Sequence, residues 1–410
     1  MKLWMRILIG AAIGLILGLY LPVEGGDTVE VMETLAALVI NVGRYAVFPL
    51  IFFGLVIGIH ELREDRMTLR VFGKAALSIL AVTAVMVIIT TLVTLLLAPR
   101  RIPPIFQEAV VPEVPSVAAL LADVFPRNLF SVFAVPGNFL LPVAGAAVLV
   151  GLVLHHEGAT VGPAVDLADS LARIFYRLNS WIVEAVSVGL IAVSSYWVLQ
   201  LRSVSDLDLF APLVWVLVAV AGLFVLVGFP LVIFFWGARY NPFSWLYAMV
   251  GPAVIGFFSG DSYFTLGPLT RIAKENFGVS REAASPALSM ATLFGKSGSA
   301  MVIAAAFITV FRSYTALEIT FGQVVWIIGA SFLFSFLLGR VPGSTVIVGL
   351  SMLARSYGEG MEDIYLILLP AIPILTGIAV VVDTMTAAAV AFMVGHWERK
   401  RRIVDPLDFV

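Results

Sequence analysis

The sequence predicts an all-α polytopic membrane protein, on the evidence of its composition and its apolar runs. Of the 410 residues, 60% are hydrophobic and 13% are charged, whereas a soluble domain carries about 25% charged residues. The run from Leu209 to Ala238 has no charged residue, and about 20 apolar residues let a helix cross a bilayer. We therefore expect a lipid bilayer around the protein and no nucleic acid as a partner. The sequence contains no cysteine, which excludes a disulfide or a thiolate metal site within it.

Six uninterrupted spans are predicted in the first part of the chain. They cover residues 3–21, 36–60, 72–98, 134–155, 173–200 and 209–236. The first apolar run has no small-residue cleavage site, so a retained helix is expected rather than a signal peptide. A proline-rich loop, residues 99–133, separates the third span from the fourth and is expected outside the bilayer.

Basic residues predict the orientation. Lys2, Arg6, the 61–70 loop and the basic tail at 399–402 fall on one predicted side, whereas the 23–34 loop is acidic. By the positive-inside rule both termini are cytoplasmic, in a multi-pass protein of the cell membrane. Arg100, Arg101 and Arg127 are exceptions that fall on the predicted outer side.

The C-terminal third predicts re-entrant hairpins. Residues 243–268 and 321–350 are apolar but broken by Gly and Pro, and each is followed by a longer apolar segment, 283–311 or 363–395. Broken segments in matching positions mark the binding site of a transporter, because loops at membrane depth must line protein or water. The alternative is ordinary spans with packing glycines. The prediction is eight transmembrane helices plus two re-entrant helical hairpins.

Four charges stand alone in these apolar stretches: Asp261, Lys296, Arg340 and Asp383. Each would destabilise the protein in hydrocarbon unless it faces a partner, water or a ligand. Two are acidic and two are basic, which is typical of a buried polar site.

Several stretches together resemble the dicarboxylate/amino-acid:cation symporters, the glutamate-transporter family. They occur in the order found in that family and cover nearly the whole chain: residues 44–58, Phe125-Pro126-Arg127-Asn128, Asn241-Pro242, Phe258-Ser259-Gly260-Asp261-Ser262, Arg271-Ile272-Ala273-Lys274-Glu275 and Val341-Pro342-Gly343.

The resemblance implies a homotrimer and an elevator-type transporter fold. Residues 1–71 and 99–200 would form a scaffold, with spans 1, 2, 4 and 5. Residues 72–98 and 201–410 would form a transport domain, with spans 3 and 6, hairpin 1 (243–277), span 7 (283–311), hairpin 2 (321–350) and span 8 (363–395). Arg44, the lone charge of the second span, would belong to the scaffold and is given no transport role.

The chain departs from the family at the sodium and substrate positions. The family unwinds its seventh span at Asn-Met-Asp-Gly-Thr, which helps to hold sodium, and this chain has Gly295-Lys296-Ser297-Gly298-Ser299 there. In the eighth span the family has an Asp for a substrate amine, Arg-Thr for a carboxylate, and Asn and Asp for sodium. The matching residues here are Ile372, Leu375-Thr376, Ala379 and Asp383.

These replacements predict an internal cation. Hard cations need several oxygen ligands, and the chain has lost most of them and gained an ammonium. We expect Lys296 to pair with Asp383 and to stand in for bound sodium, with Ser297 and Ser299 in the same ion-coupling group. The alternatives are that Lys296 reaches the headgroups or carries a coupled proton. H⁺ and Na⁺ are the candidate coupling ions, and no organic cofactor or metal centre is predicted.

Arg340 immediately precedes the Val-Pro-Gly of the second hairpin. Its guanidinium would bind a substrate carboxylate in a bidentate way or form a gate salt bridge with Asp261. Asp261 would otherwise receive a substrate amine. The candidate substrate-binding residues are Asp261, Ser262, Arg340, Val341, Gly343, Ser344 and Thr376.

The predicted function is secondary transport of a small polar metabolite, such as an amino acid or a carboxylate. Sodium coupling would be weakened or absent, and the protein would be proton-coupled or an exchanger. The alternatives are a sodium-coupled symporter and an anion-conducting channel. The sequence has no HExxH, GxSxG or paired-histidine motif, so an enzyme is not expected.

Overall fold

In its described part, the computed structural model is built from helices and their connections, with one isolated β-bridge between Val279 and Arg401. It describes residues 2–23, 27–103, 128, 131–134, 139–204, 206–237, 240–315, 319–358 and 360–409. Most of the predicted 99–133 loop, including Phe125-Pro126-Arg127, lies outside the described residues.

The first half of the chain contains long helices with short connections. They are α1 (Leu3–Tyr20), α2 (Asp27–Arg44), α3 (Val47–Glu64), α4 (Thr68–Leu97), the short α5 (Ser131–Ala134), α6 (Leu140–Glu157) and α7 (Gly162–Arg202). The predicted second span proves to be two helices, α2 and α3, which are separated only by Tyr45 and Ala46. The predicted fifth span, residues 173–200, lies within α7, whose 41 residues exceed what a bilayer requires.

The predicted sixth span is interrupted at its middle. It consists of α8 (Ala211–Leu223), a π-helical turn at Phe224–Gly228 and α9 (Phe229–Trp236). Pro230 has no N–H to donate to the Leu226 carbonyl one turn earlier, so the α-helical hydrogen bonding is interrupted there.

The remaining helices include the predicted hairpins. They are α10 (Pro242–Ser259), α11 (Ser262–Glu275), α12 (Arg281–Phe294), α13 (Ser297–Tyr314), α14 (Phe321–Ser335), α15 (Thr345–Tyr357) and α16 (Ile372–Trp397). Helical turns of 3₁₀ type at Leu338–Arg340 and Ile364–Ala371 precede α15 and α16.

The breaks are fewer than the glycines and prolines suggest. Pro252 and Pro268 lie inside α10 and α11, and the chain reverses only at Gly260 and Asp261. Gly260 has φ of +61°, a conformation that glycine adopts without strain. The second helical pair ends at Tyr357 rather than at residue 350.

Nine helical elements in the described residues are long and apolar enough to cross a membrane. They match the eight predicted spans and add α10 as a ninth. The prediction of a multi-pass helical membrane protein therefore holds.

Close packing between α1 and α7 depends on small residues. Gly10, Gly14 and Gly18 of α1 lie against the α7 backbone, and a Cβ at Gly14 would overlap Ser194 Oγ. Ser195 Oγ donates to the Gly14 carbonyl at 2.9 Å. Small residues let membrane helices approach closely where lipid offers no hydrophobic gain.

Both chain ends lie at the same end of the molecule. Lys2 Nζ donates to the Leu407 carbonyl at 2.9 Å, and Lys400 Nζ lies 2.8 Å from an Asp65 carboxylate oxygen. The ion pair with Asp65 also raises the pKa of Lys400.

Candidate functional site

The predicted lone charges differ in burial. Asp261 and Asp383 are 2% and 3% exposed, and Lys296 is fully buried. Arg340 is half-buried, with its guanidinium carbon 5.9 Å from the Phe139 ring centroid.

Asp261 fixes the turn between α10 and α11. Its Oδ1 accepts hydrogen bonds from the backbone N–H groups of Tyr263 and Phe264, both at 2.8 Å. This is an N-cap, which satisfies donors that have no partner within the helix.

The second oxygen of Asp261 forms an ion pair with Arg44 Nη2, at the C-terminal end of α2. This corrects the proposed gate pair of Asp261 with Arg340, because the cap holds the carboxylate toward α2. It also leaves little room for a substrate amine, because both carboxylate oxygens are engaged.

Lys296 lies in the predicted break, between α12 and α13, where Gly295 and Lys296 leave helical geometry. Its Nζ donates a hydrogen bond to Ser262 Oγ, the first residue of α11, and lies 6.0 Å from the Tyr263 ring centroid. The ammonium thus faces the tip of the first helical pair and does not extend to the headgroups.

Asp383 of α16 is bound by the start of α13. Its Oδ1 accepts from the backbone N–H groups of Gly298 at 2.7 Å and Ser299 at 3.1 Å, and its Oδ2 accepts from Ser299 Oγ at 2.7 Å. The N-terminus of a helix carries partial positive charge and free N–H groups that favour an anion.

Within the described residues, Lys296 and Asp383 form no direct ion pair, contrary to the prediction. The α13 N–H groups and Ser299 already satisfy Asp383, and the Lys296 side chain leaves the break toward Ser262 instead. The two charges still interact electrostatically over a longer distance.

Hydroxyl groups join the helices around Asp383. Ser299 Oγ lies 3.0 Å from Thr345 Oγ1 at the start of α15, and Ser297 Oγ lies 2.6 Å from Thr386 Oγ1 on α16. Asp383, Ser299 and Thr345 therefore form one buried polar cluster, and Ser297 is bonded to the same helix as Asp383.

The turns of the two helical pairs lie side by side. A Cβ on Gly343 would be 3.4 Å from Asp261 Oδ2 and 3.8 Å from Arg44 Nη2. Of the other residues predicted on this turn, Val341 is half-buried and Ser344 is exposed just before α15.

Thr376 of α16 touches the first turn, since a Cβ on Gly260 would be 3.2 Å from Thr376 Cγ2. The Thr376 hydroxyl is buried and has no hydrogen-bond partner among the described residues. A buried hydroxyl without a partner is destabilising for the folded protein.

Two further residues lie at the site, Arg44 and Tyr263. Arg44 is an isolated charge in an apolar span, which is the same signal that identifies the other four charges. The Tyr263 hydroxyl donates to the Gly339 carbonyl and accepts from the Leu140 N–H at 3.2 Å. It thereby links α11 to the second helical pair and to α6.

The elements that meet at the site carry five charged side chains. Arg44, Lys296 and Arg340 are basic, and Asp261 and Asp383 are acidic. Basic side chains at a buried site can attract an anionic ligand.

Comparison with known families agrees with this architecture. The model of the sodium:dicarboxylate symporter family matches residues 3–397. The chain belongs to the sodium:dicarboxylate symporter family. This membership confirms the resemblance found in the sequence and places the chain among transport proteins, not enzymes.

Three similar curated proteins are each named C4-dicarboxylate transport protein. That of Rhodospirillum rubrum is 27% identical over 256 residues, which are 60% of this chain and 54% of the relative. That of Bordetella avium is 27% identical over 252 residues, 59% and 54% of the two chains. The similarity thus spans about half the length of these relatives. That of Bacillus subtilis is 23% identical over 380 residues, 90% and 87% of the two chains.

Proposed function

We propose that this protein is a secondary active transporter of dicarboxylates in which Lys296 replaces a bound sodium ion. The observation that carries the proposal is the fully buried ammonium of Lys296 in the break of the seventh span, bonded to Ser262 at the first turn. Sodium coupling is then weakened or absent, and the cycle is coupled to protons or exchanges one anion for another.

The proposed architecture has eight transmembrane helices and two re-entrant hairpins, α10–α11 and α14–α15. The scaffold comprises residues 1–71 and 99–200, and the transport domain comprises residues 72–98 and 201–410. Substrate would cross by an elevator movement in a homotrimer in the cell membrane, with both termini in the cytoplasm. The position of Lys2 beside Leu407 supports placing the termini on one side.

The argument against tight sodium binding concerns the oxygen atoms around Asp383. Sodium, like other hard cations, is held by several oxygens with free lone pairs. Both Asp383 oxygens already accept hydrogen bonds from α13, and the Ser297 and Ser299 hydroxyls are engaged with Thr386 and Thr345. An incoming cation would break these bonds and approach an ammonium, whose repulsion is strong in a medium of low dielectric constant.

The argument for a dicarboxylate rests on charge and hydrogen bonding. Arg44 lies at the first turn and Arg340 beside the second, and the Thr376 hydroxyl is buried without a partner among the described residues. A guanidinium binds a carboxylate through two parallel hydrogen bonds. Names of the curated relatives point to the same substrate class.

Sodium-coupled dicarboxylate symport is the second candidate function. The family description names sodium, and Asp383 remains at the position that resembles the family's last sodium ligand. In this candidate the α13 N–H groups would release Asp383 to the ion.

Substrate-induced thermal stabilisation of the purified protein separates these functions. We expect succinate, fumarate and malate to raise the melting temperature equally in sodium, potassium and choline salts at matched ionic strength. Stabilisation that appears only in sodium would support the second candidate. If no dicarboxylate stabilises the protein in any salt, the proposed substrate class is wrong.

A further inference from the structure

Arg44 meets both helical turns at the candidate site. It is the last residue of α2, its side chain is 14% exposed, and its Nη2 pairs with Asp261 Oδ2. The same Nη2 atom lies 3.8 Å from the position that a Cβ on Gly343 would occupy. Beside it, the Phe264 ring of α11 packs onto Gly43 so closely that a Cβ there would overlap it.

We infer that Arg44 is a substrate-site residue contributed by the scaffold, and that it makes the affinity of the site for a dicarboxylate depend on the position of the transport domain. The inference rests on the proposed function, because it assumes a dicarboxylate substrate and a moving transport domain. It assigns to Arg44 a role in substrate affinity that its place in the second span does not suggest.

The guanidinium has hydrogen-bonding capacity beyond the pair with Asp261. An arginine has five N–H donors, and Arg44 Nε is buried without a hydrogen-bond partner among the described residues. Asp261 does not need Arg44 to cap α11, because its other oxygen makes both capping bonds. Arg44 is therefore placed to bind a carboxylate that enters between the turns.

Charge supplies the dependence on position. With Arg44 in contact, its guanidinium adds one positive charge to the site beside Asp261. If the transport domain moves away from α2, Arg44 stays with the scaffold and the net charge of the site falls by one. Asp261 then loses its nearest counter-charge and repels a dicarboxylate. The site would bind substrate in the position with Arg44 and release it in the position without Arg44.

Two single substitutions have opposite expected effects, which distinguishes this role from a purely structural ion pair. Arg44→Gln removes positive charge and is expected to weaken succinate binding at least tenfold. Asp261→Asn keeps an N-cap side chain but removes the competing negative charge, so it is expected to tighten succinate binding about threefold or more. The double variant Arg44→Gln/Asp261→Asn restores the net charge and is expected to bind within about threefold of wild type.

The measurement is succinate affinity by isothermal titration calorimetry on the purified full-length protein, together with the melting temperature of each variant. Arg173→Gln, which removes an exposed guanidinium paired with Asp169, is the matched control and should leave affinity unchanged. If Arg44→Gln and Asp261→Asn weaken succinate binding equally, the inference is overturned and the ion pair has only a structural role. If wild type binds no dicarboxylate, the proposed function fails first.

A cross-link tests the dependence on position without reference to affinity. Because the chain has no cysteine, Arg44→Cys/Asp261→Cys introduces the only two thiols. A short bis-methanethiosulfonate reagent, bridging roughly the distance that the arginine side chain spans, should join them and stop transport in proteoliposomes, and reduction should restore it. Each single cysteine variant treated with the reagent is the control. Undiminished transport by cross-linked protein would show that the two residues move together and would overturn the inference.

Discussion

Lys296 is the residue on which the proposed coupling depends, and its replacement is expected to change succinate affinity differently in choline and in sodium. Lys296→Met keeps a side chain of similar length but removes the ammonium group. The carboxylate of Asp383 is then left without a nearby cation. We expect succinate affinity in choline to fall at least tenfold, which is about 1.4 kcal/mol. Replacing choline by sodium should restore part of the lost succinate affinity, because no ammonium then repels the sodium ion.

The control for this substitution is Lys2→Met, which removes an ammonium that bonds to carbonyl groups at the chain ends. It should leave affinity in both salts unchanged. If Lys296→Met binds succinate as well as wild type does in choline, Lys296 is not the internal cation.

Thr376 offers a test that separates ligand binding from stability. Thr376→Val keeps the shape of the side chain and removes a buried hydroxyl that has no hydrogen-bond partner among the described residues. Such a change is neutral or stabilising for the folded protein, so the melting temperature should stay level or rise. Succinate affinity should nevertheless fall by about 1 kcal/mol, or roughly fivefold, if the hydroxyl bonds to substrate.

Thr309→Val is the matched control for Thr376→Val, because the Thr309 hydroxyl already donates to the Ala305 carbonyl at 2.8 Å. It should leave succinate affinity unchanged. Unaltered affinity in Thr376→Val as well would remove that residue from the substrate site.

At the scale of elements, the α1–α7 contact predicts where a methyl group is not tolerated. Gly14→Ala places a Cβ against Ser194 Oγ and the Ile191 carbonyl, and overpacking of this kind destabilises by about 1–3 kcal/mol. Gly73→Ala on α4 is the control, because no atom lies within 4 Å of its Cβ position and alanine favours a helix by about 1 kcal/mol.

The two alanine variants should therefore move the melting temperature in opposite directions. Thermal unfolding in detergent measures both. A Gly14→Ala protein as stable as wild type would mean that α1 and α7 can separate without loss of packing energy.

Elements were easier to predict than the contacts between them. Apolar length identified the spans because that signal is local in sequence, whereas the first turn at Gly260 was one of several possible breaks and was indicated only by the family resemblance. Pro252 and Pro268 were misleading, since neighbouring helices and small residues let a proline remain within a membrane helix. The break between α2 and α3 at Tyr45-Ala46 was not predicted, because it falls within an apolar run that is continuous in the sequence.

Contacts at the site depend on three-dimensional packing that spacing does not encode. Sequence position gave Asp261, Lys296 and Asp383 as buried charges, which they are. It could not give their partners, because Asp383 binds the start of α13 and Lys296 extends to Ser262 only once the broken span is folded. Arg44 could have been included by treating every lone charge in an apolar span alike.

At the scale of the whole molecule, ion pairs near one end connect the proposed scaffold with the proposed transport domain. Arg281 Nη2 lies 2.8 Å from Glu61 Oε1 and its Nη1 also binds Asp169. Since these side chains are partly exposed, each pair contributes only about 0–1 kcal/mol. An elevator movement that separates α12 from α3 would have to break them.

We accordingly expect Arg281→Gln to change the rate of succinate exchange in proteoliposomes by at most about fivefold, with equilibrium affinity unchanged. Raising the salt concentration should have a similar effect on wild type, because salt screens exposed pairs, and little effect on the variant. A complete loss of transport in Arg281→Gln would show that this contact does more than connect the two domains.

The most direct test of the central claim is succinate uptake by the wild-type protein in proteoliposomes, with choline replacing sodium on both sides of the membrane. With Lys296 as the internal cation, succinate-loaded vesicles should exchange labelled succinate at the same rate in choline and in sodium, and an inward sodium gradient should drive no accumulation. Uptake that requires sodium, or accumulation driven by its gradient, would contradict the claim and return Asp383 to the role of a sodium ligand.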